Sequence, residues 1–289
     1  MSNTQKISTF PFGPQDVLLP EPLKFQFYVD GDKIIKVDPT IGYVHRGLEK
    51  AAELNDYTRN LYRCERICGI CNVIHGQTYA GLIEKMTDTT IPERAQYLRS
   101  IWGELARLQS HLLWLGLFAE AVGNKQLFLD IWRDREIVLQ LNEATNGHRI
   151  HLGTTMIGGA VKDIDESLAQ KYVAELDKLR TRMDTWAVTM RKDPEFLAKT
   201  VDIGLLPKKD AVHSGAVGPV IRASGIPDDM RTNGYQAYGE LDFTPITYDG
   251  CDVQSRVLVR LDETYQSIEL IKRGQIGRAS CRERVCHRV

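Results

Sequence analysis

The sequence predicts an α+β fold that is mostly helical, with an N-terminal antiparallel β-hairpin or sheet packed on a core helical bundle. Three observations predict it. Leu23 to Val29 alternates apolar and polar residues, Asp30-Gly31-Asp32-Lys33 makes a turn, and Ile34 to Val37 returns, the pattern of a β-hairpin. Leu98, Ile101, Leu105, Leu108, Leu112 and Leu115 step by three and four residues, one apolar stripe of a long helix. The chain has 289 residues and is 43% hydrophobic, so it has apolar side chains enough for a large core.

The elements follow in order. Residues 1–12 read as a loose arm, Phe12-Gly13-Pro14-Gln15 as a turn, and Leu18 to Pro22 as an extended, proline-bracketed segment. After the hairpin, helical periodicity takes over. One helix fits Arg46 to Leu54, and Asn55-Asp56 caps a second that runs to about Glu65. A third fits Cys71 to Met86. Pro92 suits the first turn of the striped helix, which ends near Gly123-Asn124. Another runs from about Gln126 to Asn146 and stops at Gly147. Residues 150–161 read as loop and short strand because of Gly153, Gly158 and Gly159. Asp165 caps a long helix to about Arg191. Residues 200–250 hold short elements, and Asp252 to Lys272 forms the last amphipathic helix.

Charge is almost balanced, 37 basic residues against 38 acidic, which gives no nucleic-acid-binding surface. Met1 to Phe10 has no apolar run of the kind a secretory signal needs. The longest apolar stretch, Leu112 to Val122, contains Glu120 and falls short of the roughly 20 residues that span a bilayer. Six unevenly placed cysteines in a chain this long do not form a disulfide framework; they fit a reducing compartment and a metal or redox role.

The chemistry concentrates at Arg66-Ile67-Cys68-Gly69-Ile70-Cys71-Asn72-Val73-Ile74-His75. A Cys-x-x-Cys pair can bind half of a zinc or softer metal site, work as a redox dithiol, or simply pack. His75 stands one helical turn beyond Cys71, where an imidazole can donate to a thiolate sulfur. Arg66 adds positive potential, which lowers thiol pKa values. Cys64 and Cys251 read as buried structural cysteines.

This motif resembles the N-terminal metal motif of the [NiFe] hydrogenase large subunit, and specifically its membrane-associated, energy-converting (Ech-type) branch. Phe12-Gly13-Pro14-Gln15, Leu19-Pro20-Glu21-Pro22, Gly42 to Lys50, Glu65 to Cys71 and Gly218 to Gly225 carry the likeness, which covers about residues 10–275. That branch is homologous to the quinone-site subunit of respiratory complex I, which typically lacks the cysteines. The resemblance implies that Cys68 is a terminal nickel ligand, and that Cys71 bridges nickel to an iron carrying CO and cyanide. It implies that His75 and Arg66 support this Ni–Fe centre and that Glu21 relays the proton from a terminal cysteine. Arg46 and Glu49 match a segment near the site or are ordinary helix charges. Arg222 supports an interface or makes a structural salt bridge. Asp16 stands where the family usually has histidine.

The resemblance further implies reversible H2 oxidation and proton reduction. The partners would be an iron–sulfur small subunit holding a [4Fe-4S] cluster, membrane ion-translocating subunits and a ferredoxin-like electron carrier, on the cytoplasmic side of the cell membrane as a peripheral assembly. The family's second cysteine pair has no match in this chain. Cys281 and Cys286-His287 have the wrong spacing, and residues 276–289 resemble a translated sequencing adapter. The expected organisation is one truncated domain over 1–275 with a non-native tail, inactive on its own. A complex I-like quinone subunit without nickel and a non-catalytic structural metal-binding module are the alternative readings.

Overall fold

A computed structural model describes residues 7–19 and 21–280, and the fold is α+β and mostly helical. The chain forms two compact units, Met1–Leu54 and Asn55–Val289. In the first, strands β1 (Ser8–Phe12), β2 (Lys24–Asp30) and β3 (Lys33–Thr40) make an antiparallel sheet in the order β1-β2-β3. The hairpin is as the alternation predicts. The arm is corrected: Ser8–Phe12 pairs with β2, Phe10 opposite Phe27 and Phe12 opposite Phe25. Alternate residues share one face of a strand, so Phe10, Phe12, Phe25 and Phe27 stack with ring centroids 6.0–6.5 Å apart. The opposite face is polar, with Lys36 and Asp38 paired at 2.8 Å beside Tyr28. Gly13, at φ 81°, makes the turn after β1; a Cβ there would lie 2.1 Å from the Leu23 carbonyl oxygen. Helix α1 (Leu48–Glu53) closes this unit.

The second unit is helical. Asp56 caps α2 (Tyr57–Glu65) by accepting from the Arg59 amide, and Cys71 is the N-cap residue of α3 (Asn72–Met86). Helix α4 (Glu93–Ala121) follows Pro92, which precedes its first turn. All six residues of its leucine-rich stripe are at most 1% exposed. Helix α5 (Lys125–Asn146) stops at Gly147 in the left-handed conformation, φ 85°. The hairpin β4 (Thr155–Met156) and β5 (Gly159–Ala160) leads to α6 (Glu166–Lys192), whose cap Asp165 accepts from the Leu168 amide. Short helices α7 (Pro194–Ala198), α8 (Lys208–His213) and α9 (Pro219–Arg222) and two 3-10 turns, Met230–Asn233 and Tyr238–Glu240, precede α10 (Val253–Ser280). Helix α10 is longer than its sequence pattern suggested. It continues past residue 272, and Arg278 is buried with its guanidinium donating to the Ile164 carbonyl. Cys281, Cys286 and His287 lie outside the described residues.

Helix α4 packs against both α5 and α10. Between α4 and α10 the apolar core, which includes Leu261, Ile268 and Ile271, is interrupted by a buried charged network. Glu104 accepts from Tyr238 Oη (2.7 Å) and Ser267 Oγ (2.6 Å) and pairs with Arg231 (3.2 Å) and Arg107 (3.3 Å). Glu263 pairs with His111 (2.7 Å) and Arg222 (2.6 Å), and Asp229 holds Arg231 at 2.8 Å. Burial pushes both glutamates toward the neutral acid, but Arg107 and Arg231 at Glu104, and His111 followed by Arg222 and Arg107 at Glu263, outweigh it and hold both below the usual carboxylate range. Of the two roles open to Arg222 in the sequence, the structure shows the salt bridge: it is 3% exposed and belongs to this network.

Candidate metal centre

The cysteine loop connects the end of α2 to the start of α3. Cys68 and Cys71 are both thiols outside any disulfide; Cys68 is half-buried and Cys71 exposed. The Ile70 amide donates to Cys68 Sγ at 3.3 Å, which turns the loop around the sulfur. Gly69 sits at the apex, and its carbonyl accepts from Asn72 Nδ2 at 3.2 Å and Gln109 Nε2 at 3.5 Å. Arg135 on α5 in turn donates to the Gln109 carbonyl at 3.1 Å. Helices α3 and α4 are thereby tied to the same turn, and α5 is tied to α4 beside it.

Helix α3 is anchored along its length. Gln77 donates to the Arg99 carbonyl at 2.8 Å. Farther on, Glu84 and Arg99 form a buried bidentate pair at 2.6 and 3.0 Å. Arg99 also donates to the Met156 and Gly159 carbonyls of the β4–β5 hairpin. His75 lies on the first turn of α3, its amide donating to the Cys71 carbonyl at 3.2 Å.

The electrostatics differ from expectation at Arg66. Its guanidinium folds back along α2. It donates to the Tyr62 carbonyl at 3.4 Å, stands 5.0 Å from the Tyr62 ring centroid, and pairs with Glu65 at 3.2 Å. Its charge is therefore shared with a carboxylate rather than offered undivided to the thiols. Glu65 is 3% exposed, and burial pushes its carboxyl up to about 7 although Arg66 opposes the shift. Burial also raises the neighbouring Cys64 thiol, with Glu65 adding to it. Cys64 and Cys251 are half-buried, not buried as their sequence context suggested. Cys251 occupies a turn at φ 59°, where its backbone bonds Ala223 and Leu206.

Glu21 belongs to the N-terminal unit and is exposed. Asp16, at the unusual position in that segment, accepts from the Leu18 amide at 2.9 Å and closes a local turn. Among the described residues no group of three or more His, Cys, Asp and Glu could hold a metal ion. Cys68 and Cys71 fit half of a soft-metal site: two thiolates from one anchored loop, one of them already accepting an amide hydrogen bond. Sequence reasoning assigned no role to Glu65, Gln109 or Arg135. Arg135 stands among Arg133, Asp134 and Glu136, and Glu65 follows Arg59, Asn60 and Arg63, so nothing in the local sequence singles them out.

Residues 46–117 match the family described as nickel-dependent hydrogenase, and residues 121–277 match the respiratory-chain NADH dehydrogenase 49 Kd subunit. The carbon monoxide-induced hydrogenase of Rhodospirillum rubrum is 38% identical over 266 residues, 91% of this chain and 74% of that protein. The chain belongs to the family of energy-converting hydrogenase and complex I 49 Kd-type large subunits. Its relatives fall on both sides of that family. The membrane-bound hydrogenase alpha subunit of Pyrococcus furiosus is 35% identical, covering 91% of this chain and 63% of its own length. An NADH-quinone oxidoreductase component of Geotalea uraniireducens is 33% identical, covering 95% and 70%. The family is one of oxidoreductases, and its hydrogenase members are nickel-dependent. Among the described residues, no helix is long and apolar enough to cross a membrane.

Proposed function

We propose that this chain is the hydrogen-converting large subunit of an energy-converting [NiFe] hydrogenase. The observation that carries the reading is the cysteine pair itself. Cys68 and Cys71 stand on an anchored loop within the segment that matches nickel-dependent hydrogenases. Soft thiolates suit nickel and iron, and Cys68 and Cys71 would hold the Ni–Fe group. The bound Ni–Fe group would supply the redox chemistry of H2. The chain's own residues set its surroundings. The Ile70 amide donates to Cys68 Sγ, Gln109 and Asn72 fix the loop, and His75 occupies the turn beyond Cys71. By its likeness to the family, Glu21 would serve as a proton relay, a role within a carboxyl's chemistry. Electrons would leave through a [4Fe-4S] cluster in a small partner subunit to a ferredoxin-like carrier. Membrane subunits would couple the reaction to ion translocation on the cytoplasmic side.

The alternative, a quinone-site subunit without nickel, draws on the 49 Kd-type match over 121–277. Metal analysis of the full-length gene product, co-expressed with partner subunits and maturation factors, decides between them. Nickel together with iron, and H2-dependent electron transfer, are the expected result. Zinc alone supports a structural module, and a metal-free protein that reduces quinone supports the alternative.

A further inference from the structure

Glu65 is an unusual residue to find at the end of α2. It is almost wholly buried, and it borders three segments. The ideal Cβ position of Gly76 on α3 lies 2.7 Å from Glu65 Oε1 and 2.8 Å from its Cγ, so only glycine leaves room for the side chain. The Cβ position of Gly153, in the loop after α5, lies 3.9 Å from Oε2. From this seat Oε2 holds the Arg66 guanidinium at 3.2 Å, back over the Tyr62 turn. Arg66 is two residues from Cys68 and has a long, half-exposed side chain. Without the carboxylate it is free in reach and undivided in charge.

We infer that Glu65, seated in the space left by Gly76, is a positioning residue that holds Arg66 over the Tyr62 turn and so sets the electrostatic potential at Cys68 and Cys71. The consequence for catalysis rests on the reading of these cysteines as metal thiolates. The carboxyl's elevated pKa, about 7, makes this restraint weakest when Glu65 is protonated.

The test uses the whole chain and compares alkylation of Cys68 and Cys71 by iodoacetate and iodoacetamide, followed at each cysteine by mass spectrometry. The ratio of the two rates reports local potential, because thiolate fraction and access affect both reagents. At mildly alkaline pH, Glu65→Gln should raise the iodoacetate-to-iodoacetamide ratio by well over threefold: about threefold is the direct effect of losing one unit charge several ångströms away in a water-like dielectric, and the released arginine adds to it. In an Arg66→Gln background only the direct effect should remain, because a positioning effect needs its arginine. Gly76→Ala, whose methyl displaces the carboxylate, should move the ratio in the same direction as Glu65→Gln. It serves as the independent variant if Glu65→Gln fails to fold. Equal effects with and without Arg66, or an unchanged ratio, would overturn the inference while leaving the metal assignment intact. Zinc or no metal in the full-length protein would remove the catalytic meaning and leave the alkylation result standing.

Discussion

Replacing Glu104 by glutamine should destabilise the helical unit severely, because it alters charge without altering shape. Glu104 is 1% exposed and takes four contacts, from Tyr238, Ser267, Arg231 and Arg107. Three buried acids, Glu104, Glu263 and Asp229, face three buried or part-buried arginines, Arg107, Arg222 and Arg231. Glutamine leaves that set one positive charge in excess and turns its amide N–H toward a donor. Breaking a buried pair in this way costs about 3–5 kcal/mol. All four tryptophans, Trp102, Trp114, Trp132 and Trp186, lie in the helical unit, so urea unfolding followed by tryptophan fluorescence reads that unit directly. The pH dependence has a definite sign. A carboxylate whose folded pKa is depressed stabilises the fold above its unfolded pKa, near 4.5, and loses that contribution as pH falls through the lower folded value. The deficit of Glu104→Gln should therefore be full at neutral pH and shrink on acidification below about 4.5. A loss under about 1 kcal/mol at neutral pH would show that these charges are not mutually dependent.

Three other outcomes are expected. Glu65 has a raised folded pKa, so its protonated form stabilises the fold, and that contribution is lost as pH rises from about 4.5 through about 7; Glu65→Gln should flatten this part of the stability–pH curve by about 2–3 kcal/mol, read by urea midpoints across the range. Leu108→Ala, at a position with no exposed surface in the α4 stripe, should cost about 2–5 kcal/mol in the same assay. Gly116→Ala would place a methyl 2.2 Å from Trp132 Cδ1, and should cost about 1–3 kcal/mol and shift the tryptophan emission.

The long helices were legible in the sequence because local signals and tertiary packing agree there. The α4 stripe marks one face for burial, and Asp56 and Asp165 cap where their side chains permit. Strand β1 was hidden for a physical reason. Ser8–Phe12 contains Pro11 and has little alternation, and it becomes a strand only through its pairing with β2. The charged interior was hidden for another. Glu104, Arg107 and His111 lie three and four residues apart on α4, which reads equally well as a solvated face. Residues more than a hundred positions later cover it: Arg231 and Tyr238 reach Glu104, and α10 brings Ser267 and Glu263. At the candidate site, the Cys68–Cys71 spacing was evident, but the direction of Arg66 was not. A preceding arginine suggests positive potential, whereas the fold gives it Glu65 as a partner.

The proposed hydrogen chemistry stands or falls on Cys68 and Cys71 supplying thiolates to nickel. X-ray absorption at the nickel edge, on the full-length protein matured with its partner subunits, observes those bonds. Nickel–sulfur scattering should be present in the native protein and diminished in Cys68→Ser and in Cys71→Ser. Nickel–sulfur scattering left unchanged by both substitutions would rule out the assignment of these two cysteines as ligands.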